Sequence, residues 1–116
     1  MRTAWLSLCL SSILVAPLQA AERRCGWLHN PTPGNVWLTD RAGDWILASQ
    51  GGRETPGMDR VPDMTGREWV RTNGAYGYGC ACVVLNAEAR RQVLRVHAAE
   101  QLPLARCRAD RALPQP

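Results

Sequence analysis

Four cysteines carry the most chemistry in this chain: Cys25, Cys80, Cys82 and Cys107. Cys80 and Cys82 are separated by one residue. A bond between them would close a strained small ring, so each is expected to take a distant partner. Two connectivities then remain, Cys25–Cys80 with Cys82–Cys107, or Cys25–Cys82 with Cys80–Cys107, and spacing alone does not choose between them. The competing chemistries are a labile redox pair or soft ligands for copper or zinc. Against the first, the Cys-x-x-Cys spacing of helix-start redox motifs is missing. Against the second, a structural zinc site wants two closely spaced ligand pairs and only one exists.

Other reactive side chains are sparse. His29 and His97 are the only histidines, and neither stands in a motif with a serine, cysteine or carboxylate. Both read as ordinary turn or surface residues. Asp40, Asp44, Asp59, Asp63 and Glu68 are scattered, with turn chemistry accounting for Asp40 and Asp44. No glycine-rich phosphate loop occurs. No catalytic residue, metal site or cofactor is assigned, and a small hydrolase ranks last among the readings.

The cysteines follow a segment with the form of a cleavable export signal, residues 1–20. Arg2 gives a positive start. Leu6, Leu8, Leu10, Ile13, Leu14 and Val15 lie in an apolar stretch, and Leu18-Gln19-Ala20 resembles a cleavage site. The stretch is shorter than the roughly 20 apolar residues of a membrane helix, so no membrane association is expected once it is removed. Cys9 falls inside the signal, which leaves an even number of cysteines behind it. An oxidising compartment, the periplasm or the exterior, suits paired cysteines.

Residues 21–116 then form a single domain, small enough for disulfides to matter to its stability. The net charge of the full sequence is +4, carried by arginines interleaved with acids, without lysine. A nucleic-acid stripe needs clustering on one face, so no nucleic-acid partner is expected.

The pattern predicts a mainly β, disulfide-stapled antiparallel domain with a short C-terminal helix or turn. Arg24–Leu28 reads as a first strand and Asn30–Asn35 as a turn. Val36–Thr39 and Asp44–Ala48 flank a second turn ending at Gly43. Ser49–Gly66 holds four glycines and two prolines and reads as a long loop. Arg67–Thr72 and Ala75–Asn86 flank Asn73-Gly74, a strong hairpin signal that would set Trp69 opposite Tyr78. Side chains alternate along the second of these strands. Tyr76, Tyr78, Cys80 and Cys82 share one face, and the other has small residues where a backbone or a tryptophan ring can lie close. Gln92–Ala98 alternates again, with Leu94, Val96 and Ala98 together. A short helix near Pro103 would return Cys107 to the sheet.

Trp27, Trp37, Trp45 and Trp69 give a high aromatic count for the size, and without phenylalanine they are expected to fill the core. The tyrosines of the glycine-rich hairpin are better placed for exposure. The candidate binding surface is Asn30, Asn35, Trp37, Asn73, Tyr76 and Tyr78, together with the Ser49–Gly66 loop. The leading functional expectation is a periplasmic binding or interaction module of unknown target, in one version an inhibitor or accessory factor of an envelope enzyme. Its partner would be an envelope protein or a glycan. The alternative is a thiol-redox or metal-handling protein using Cys80 and Cys82.

Arg24-Cys25-Gly26-Trp27-Leu28, Asn30-Pro31-Thr32-Pro33-Gly34-Asn35, Tyr76-Gly77-Tyr78-Gly79-Cys80-Ala81-Cys82 and Leu102-Pro103-Leu104-Ala105-Arg106-Cys107-Arg108 resemble a family of small exported bacterial proteins of unknown function. The resemblance spans the whole mature chain. Val36 departs from it, where a second tryptophan would stand beside Trp37. The resemblance implies a secreted, disulfide-bearing domain and brings no activity or catalytic residues.

Overall fold

The structure is a computed structural model that describes residues 2–13 and 20–116. Leu14, Val15 and the Leu18-Gln19 part of the expected cleavage site lie outside the described residues. Residues 2–13 hold no helix or strand and are exposed. Among the described residues no helix is long and apolar enough to cross a membrane.

Six antiparallel strands and one short helix follow: β1 (Glu22–Thr32), β2 (Asn35–Asp40), β3 (Gly43–Ala48), β4 (Trp69–Asn73), β5 (Tyr76–Ala87), β6 (Val93–Leu102) and α1 (Leu104–Ala109). β1 is longer than the sequence suggests because both its edges are paired, to β2 and to β5. The Asn30–Asn35 turn therefore shrinks to Pro33-Gly34, with Gly34 at φ 75°. Pro31, which cannot donate to a ladder, sits where the β1–β2 register is interrupted between His29 and Thr32.

β5 runs through the centre. One edge pairs β1 along Gly77–Leu85, and the other pairs β4 over its first half and β6 over its second. The sheet then curls on itself. Ile46 of β3 meets Gln92 in a parallel bridge, with Ile46 N donating to Arg91 O at 2.9 Å and Gln92 Nε2 to Ile46 O at 3.2 Å. Setting β4 aside, the order β1-β2-β3-β6-β5-β1 closes a small, partly open Greek-key barrel of the OB type. Leu28, Leu38, Leu47, Val83, Leu85 and Val96 fill it, each 3% exposed or less.

Two registers differ from expectation. Trp69 lies opposite Gly79, and Val70 opposite Tyr78. The turn residues are Gly74 and Ala75, and an irregularity between Arg71 and Asn73 moves the pairing along. The cause is visible at Gly79, where a Cβ would come within 2.8 Å of the Trp69 ring, so the glycine makes room for the tryptophan. In β6 the alternation breaks: Val93 and Val96 are buried and Leu94 is 52% exposed. Two register shifts against β5 put an extra residue into β6 at each, which resets the inward face.

Ser49–Gly66 is a plug and not a free loop. Its one 3-10 turn spans Met58–Arg60, and Met58, Val61 and Met64 pack on the barrel core. Two hydrogen bonds tie it down: Val96 N donates to Pro56 O at 2.9 Å, and the Gln101 side chain donates through Nε2 to Met64 O at 2.9 Å. On the outside of the sheet, α1 and the tail lay Leu104, Cys107 and Leu113 over Trp27 and Cys80.

Gly57 joins the plug to β6 at φ 89°, and a Cβ there would overlap the Val96 carbonyl. Gly57→Ala is expected to cost about 2 kcal/mol or more, through positive-φ strain and displacement of the plug. A urea midpoint unchanged from the parent protein would refute this account of the plug.

Candidate functional site

Antiparallel register brings residues from distant parts of the sequence into one transverse line. Ile46 on β3 faces Trp37 on β2, Trp37 faces His29 on β1, His29 faces Tyr78 on β5, and Tyr78 faces Val70 on β4. Each is half-buried. The line lies on the outside of the barrel, since the flanking Leu28, Leu38 and Trp45 point into the core. The Trp37 and His29 rings stack at 5.1 Å and 17°. Tyr78 stands 5.7 Å from His29 and meets Trp27 edge-on at 5.4 Å. Trp27 anchors the row from below, being 1% exposed beneath α1.

Of the four tryptophans in residues 21–116, Trp27, Trp45 and Trp69 are buried as expected, and Trp37 alone is partly open. Trp45 is held between arginines, with the Arg24 guanidinium 4.3 Å and that of Arg91 5.8 Å from its ring. Arg24 in turn reaches Asp40 at 3.3 Å and Glu22 at 2.5 Å.

The expected surface residues divide into two groups. Trp37 and Tyr78 come together across His29. The asparagines sit at the turn end of the sheet with their side chains bonded within the chain. Asn30 Nδ2 donates to Thr32 O at 2.9 Å and Asn35 O at 2.8 Å. Asn35 Nδ2 donates to Thr32 Oγ1 at 2.7 Å, and its Oδ1 accepts from Gln50 N at 2.9 Å. Asn73 Nδ2 reaches Pro31 O at 3.3 Å, linking the two hairpin turns. Tyr76 is half-buried one step along β5 from Tyr78, on the same face.

His29 is the residue that sequence reasoning passed over as part of a turn. Its signal was the alternation Trp27, His29, Pro31, visible once β1 is carried past Leu28. His97 is elsewhere, its ring paired with the Asn86 side chain.

The cysteines take the second connectivity, Cys25–Cys82 between directly paired residues of β1 and β5, and Cys80–Cys107 from β5 to α1. Cys80, Cys82 and Cys107 are each 3% exposed or less. Two such bonds are typical of exported proteins. Among the described residues only Cys9 is unpaired, and no group of three or more histidines, cysteines and carboxylates is placed to hold a metal ion.

Burial between Trp37 and Tyr78 disfavours the charged imidazole and pulls the His29 pKa below its ordinary 6.5, while Asp44 pulls the other way. The unfolded chain therefore takes up this proton first as pH falls. Stability from the neutral ring is present above about pH 6.5 and is lost as pH drops through the lower folded value. Urea midpoints from pH 7.5 to 5 should decline less steeply in His29→Gln than in the parent; equal slopes would remove His29 from the account.

No curated protein and no solved structure matches this chain. A family described as a protein of unknown function (DUF4087) matches residues 19–114, nearly the whole length from the start of β1 to the tail packed on α1, and the chain belongs to that family.

Proposed function

We propose that the protein is an exported periplasmic binding module whose contact surface is the outer-face row through Trp37, His29 and Tyr78. The observation that carries this reading is that row itself: aromatic side chains from β1, β2 and β5 lie side by side on the outside of a partly open barrel, with the Tyr78–Val70 end packed against the cluster that α1 covers. Barrels of the OB type bind their ligands on the outer face of the second and third strands, which here carries Trp37 and Ile46.

Rigidity supports the same reading. His29 and Tyr78 sit on β1 and β5, which Cys25–Cys82 crosslinks, and Trp37 is held against His29 by the β1–β2 ladder, so little order is lost when a partner docks. The thiol or metal alternative is less well supported, because both Cys80 and Cys82 are engaged in separate, largely buried disulfides. Alkylation of the native exported protein is expected to label none of Cys25, Cys80, Cys82 and Cys107 before reduction. Native labelling of Cys80 and Cys82 would instead put thiol chemistry first.

The binding reading is tested by crosslinking in the periplasm with Trp37→Ala, Tyr78→Ala and, as a control on exposed apolar surface elsewhere, Leu94→Ala. An envelope component should be captured by the parent and by Leu94→Ala, with at least tenfold less in the two aromatic variants. Identical capture across all four would rule out this face.

A further inference from the structure

The shape and charge of the outer-face row narrow its ligand. The row crosses five strands, so its length is about 19 Å at roughly 4.8 Å per strand spacing. Its width is about 7 Å, the separation of same-face residues along a strand. That is roughly 130 Å² of apolar strip, against about 800 Å² per partner in a standard protein interface. Adding the Tyr76 ring leaves it well short. On area alone, a narrow chain fits this surface better than a folded protein does.

Depth points the same way. Trp37, His29 and Tyr78 line none of five surface cavities of 150–260 Å³ that open elsewhere among the described residues. The row is a shallow track and not a pocket, a form suited to a linear ligand lying across the strands.

The charge of the row itself does not favour a polyanion. No cationic side chain belongs to the row. Arg23, Arg24 and Arg41 gather with Asp40 and Asp110 around a separate cavity of about 230 Å³. Arg71, next to Val70, donates to Thr65 O at 3.2 Å, away from the rings. Asp44, an acid, acts on the His29 imidazole. Binding of single-stranded nucleic acid requires a positively charged groove alongside the stacking rings, and this track has the rings without the charge.

We infer that the Trp37–His29–Tyr78 track binds a neutral, linear saccharide chain, an inference that rests on the binding-module reading above. The C–H faces of sugar rings pack against the aromatic side chains. The indole N–H, the imidazole nitrogens and the phenol hydroxyl, arrayed across neighbouring strands, meet hydroxyl and amide groups of the chain.

The test is a glycan array of neutral and anionic oligosaccharides probed with the disulfide-bonded protein. Retained neutral glycans are then titrated by tryptophan fluorescence, alongside an eight-residue deoxythymidine oligonucleotide. The expected result is saturable binding of at least one neutral oligosaccharide and none of the oligonucleotide. Affinity should be at least tenfold lower in Trp37→Ala and Tyr78→Ala, whose circular dichroism and disulfide content match the parent, and unchanged in Leu94→Ala. An array with no neutral glycan retained, or binding that survives both aromatic substitutions, overturns the inference. If crosslinking finds a protein partner dependent on Trp37 while the array is blank, the saccharide inference falls and the binding module stands. If both are blank, both fall.

Discussion

The pairing of β1 with β5 governs the position of nearly everything else. Nine directly opposed residue pairs, from Glu22 against Leu85 to Asn30 against Gly77, join the start of the domain to its middle. That ladder places Cys25 against Cys82, His29 against Tyr78 and Leu28 against Gly79 in a single register. A slip by one residue would send every side chain of β1 to the opposite face. Leu28 would leave the core and Trp27 would enter it, and Cys25 would lose its partner. The Cys25–Cys82 bond closes a loop with a sequence separation of 57, which restricts the unfolded chain and makes the correct register the only one compatible with the crosslink.

Gaps in the side-chain layer make the close approaches possible. Gly26 lies so near the Thr39 backbone that a Cβ there would collide with its carbonyl, and Gly77 stands in the same relation to Val70. Both glycines are on the strands of the central ladder, next to Trp27 and Tyr78. The glycine-rich run of β5 therefore lets neighbouring strands twist tightly around it while large aromatic rings project between the small residues. The tryptophans are distributed accordingly. Trp69 takes the space above Gly79 and donates its indole N–H to Ala75 O at 3.0 Å, and Trp45 lies under Arg24.

Much of this was legible in the sequence because it depends on local chemistry. The turn at Pro33-Gly34, a hairpin near Asn73-Gly74, alternation through β5, and a helix after Pro103 all announce themselves within a few positions, although the second turn sits one residue later, at Gly74-Ala75. The two possible cysteine pairings were also legible, but choosing between them requires the β1–β5 register, which is a long-range fact. The same limit hid the outer-face row. Ile46, Trp37, His29, Tyr78 and Val70 are spread over 50 positions, and nothing near His29 marks it as a neighbour of Tyr78. The β6 bulges were invisible for a different reason: Leu94 and Val96 look equivalent by alternation, and only the closure of the barrel against β3 and the plug decides which turns inward. Val36, where the family resemblance places a tryptophan, packs on the core from the neighbouring position to Trp37 without disturbing it.

The disulfide connectivity has a consequence for how the domain matures. A chain threaded out N-terminus first presents Cys25, then Cys80, then Cys82, and Cys107 last. Joining sulfurs in order of arrival would pair Cys25 with Cys80, which the native sheet keeps apart by placing Trp27 opposite Cys80. The native bond waits for a residue that emerges only two positions later, so sequence order offers almost no kinetic discrimination between the right partner and the wrong one. Selection has to come from the ladder, either by zipping before oxidation or by driving thiol exchange afterwards. The sheet thus proofreads its own crosslinks.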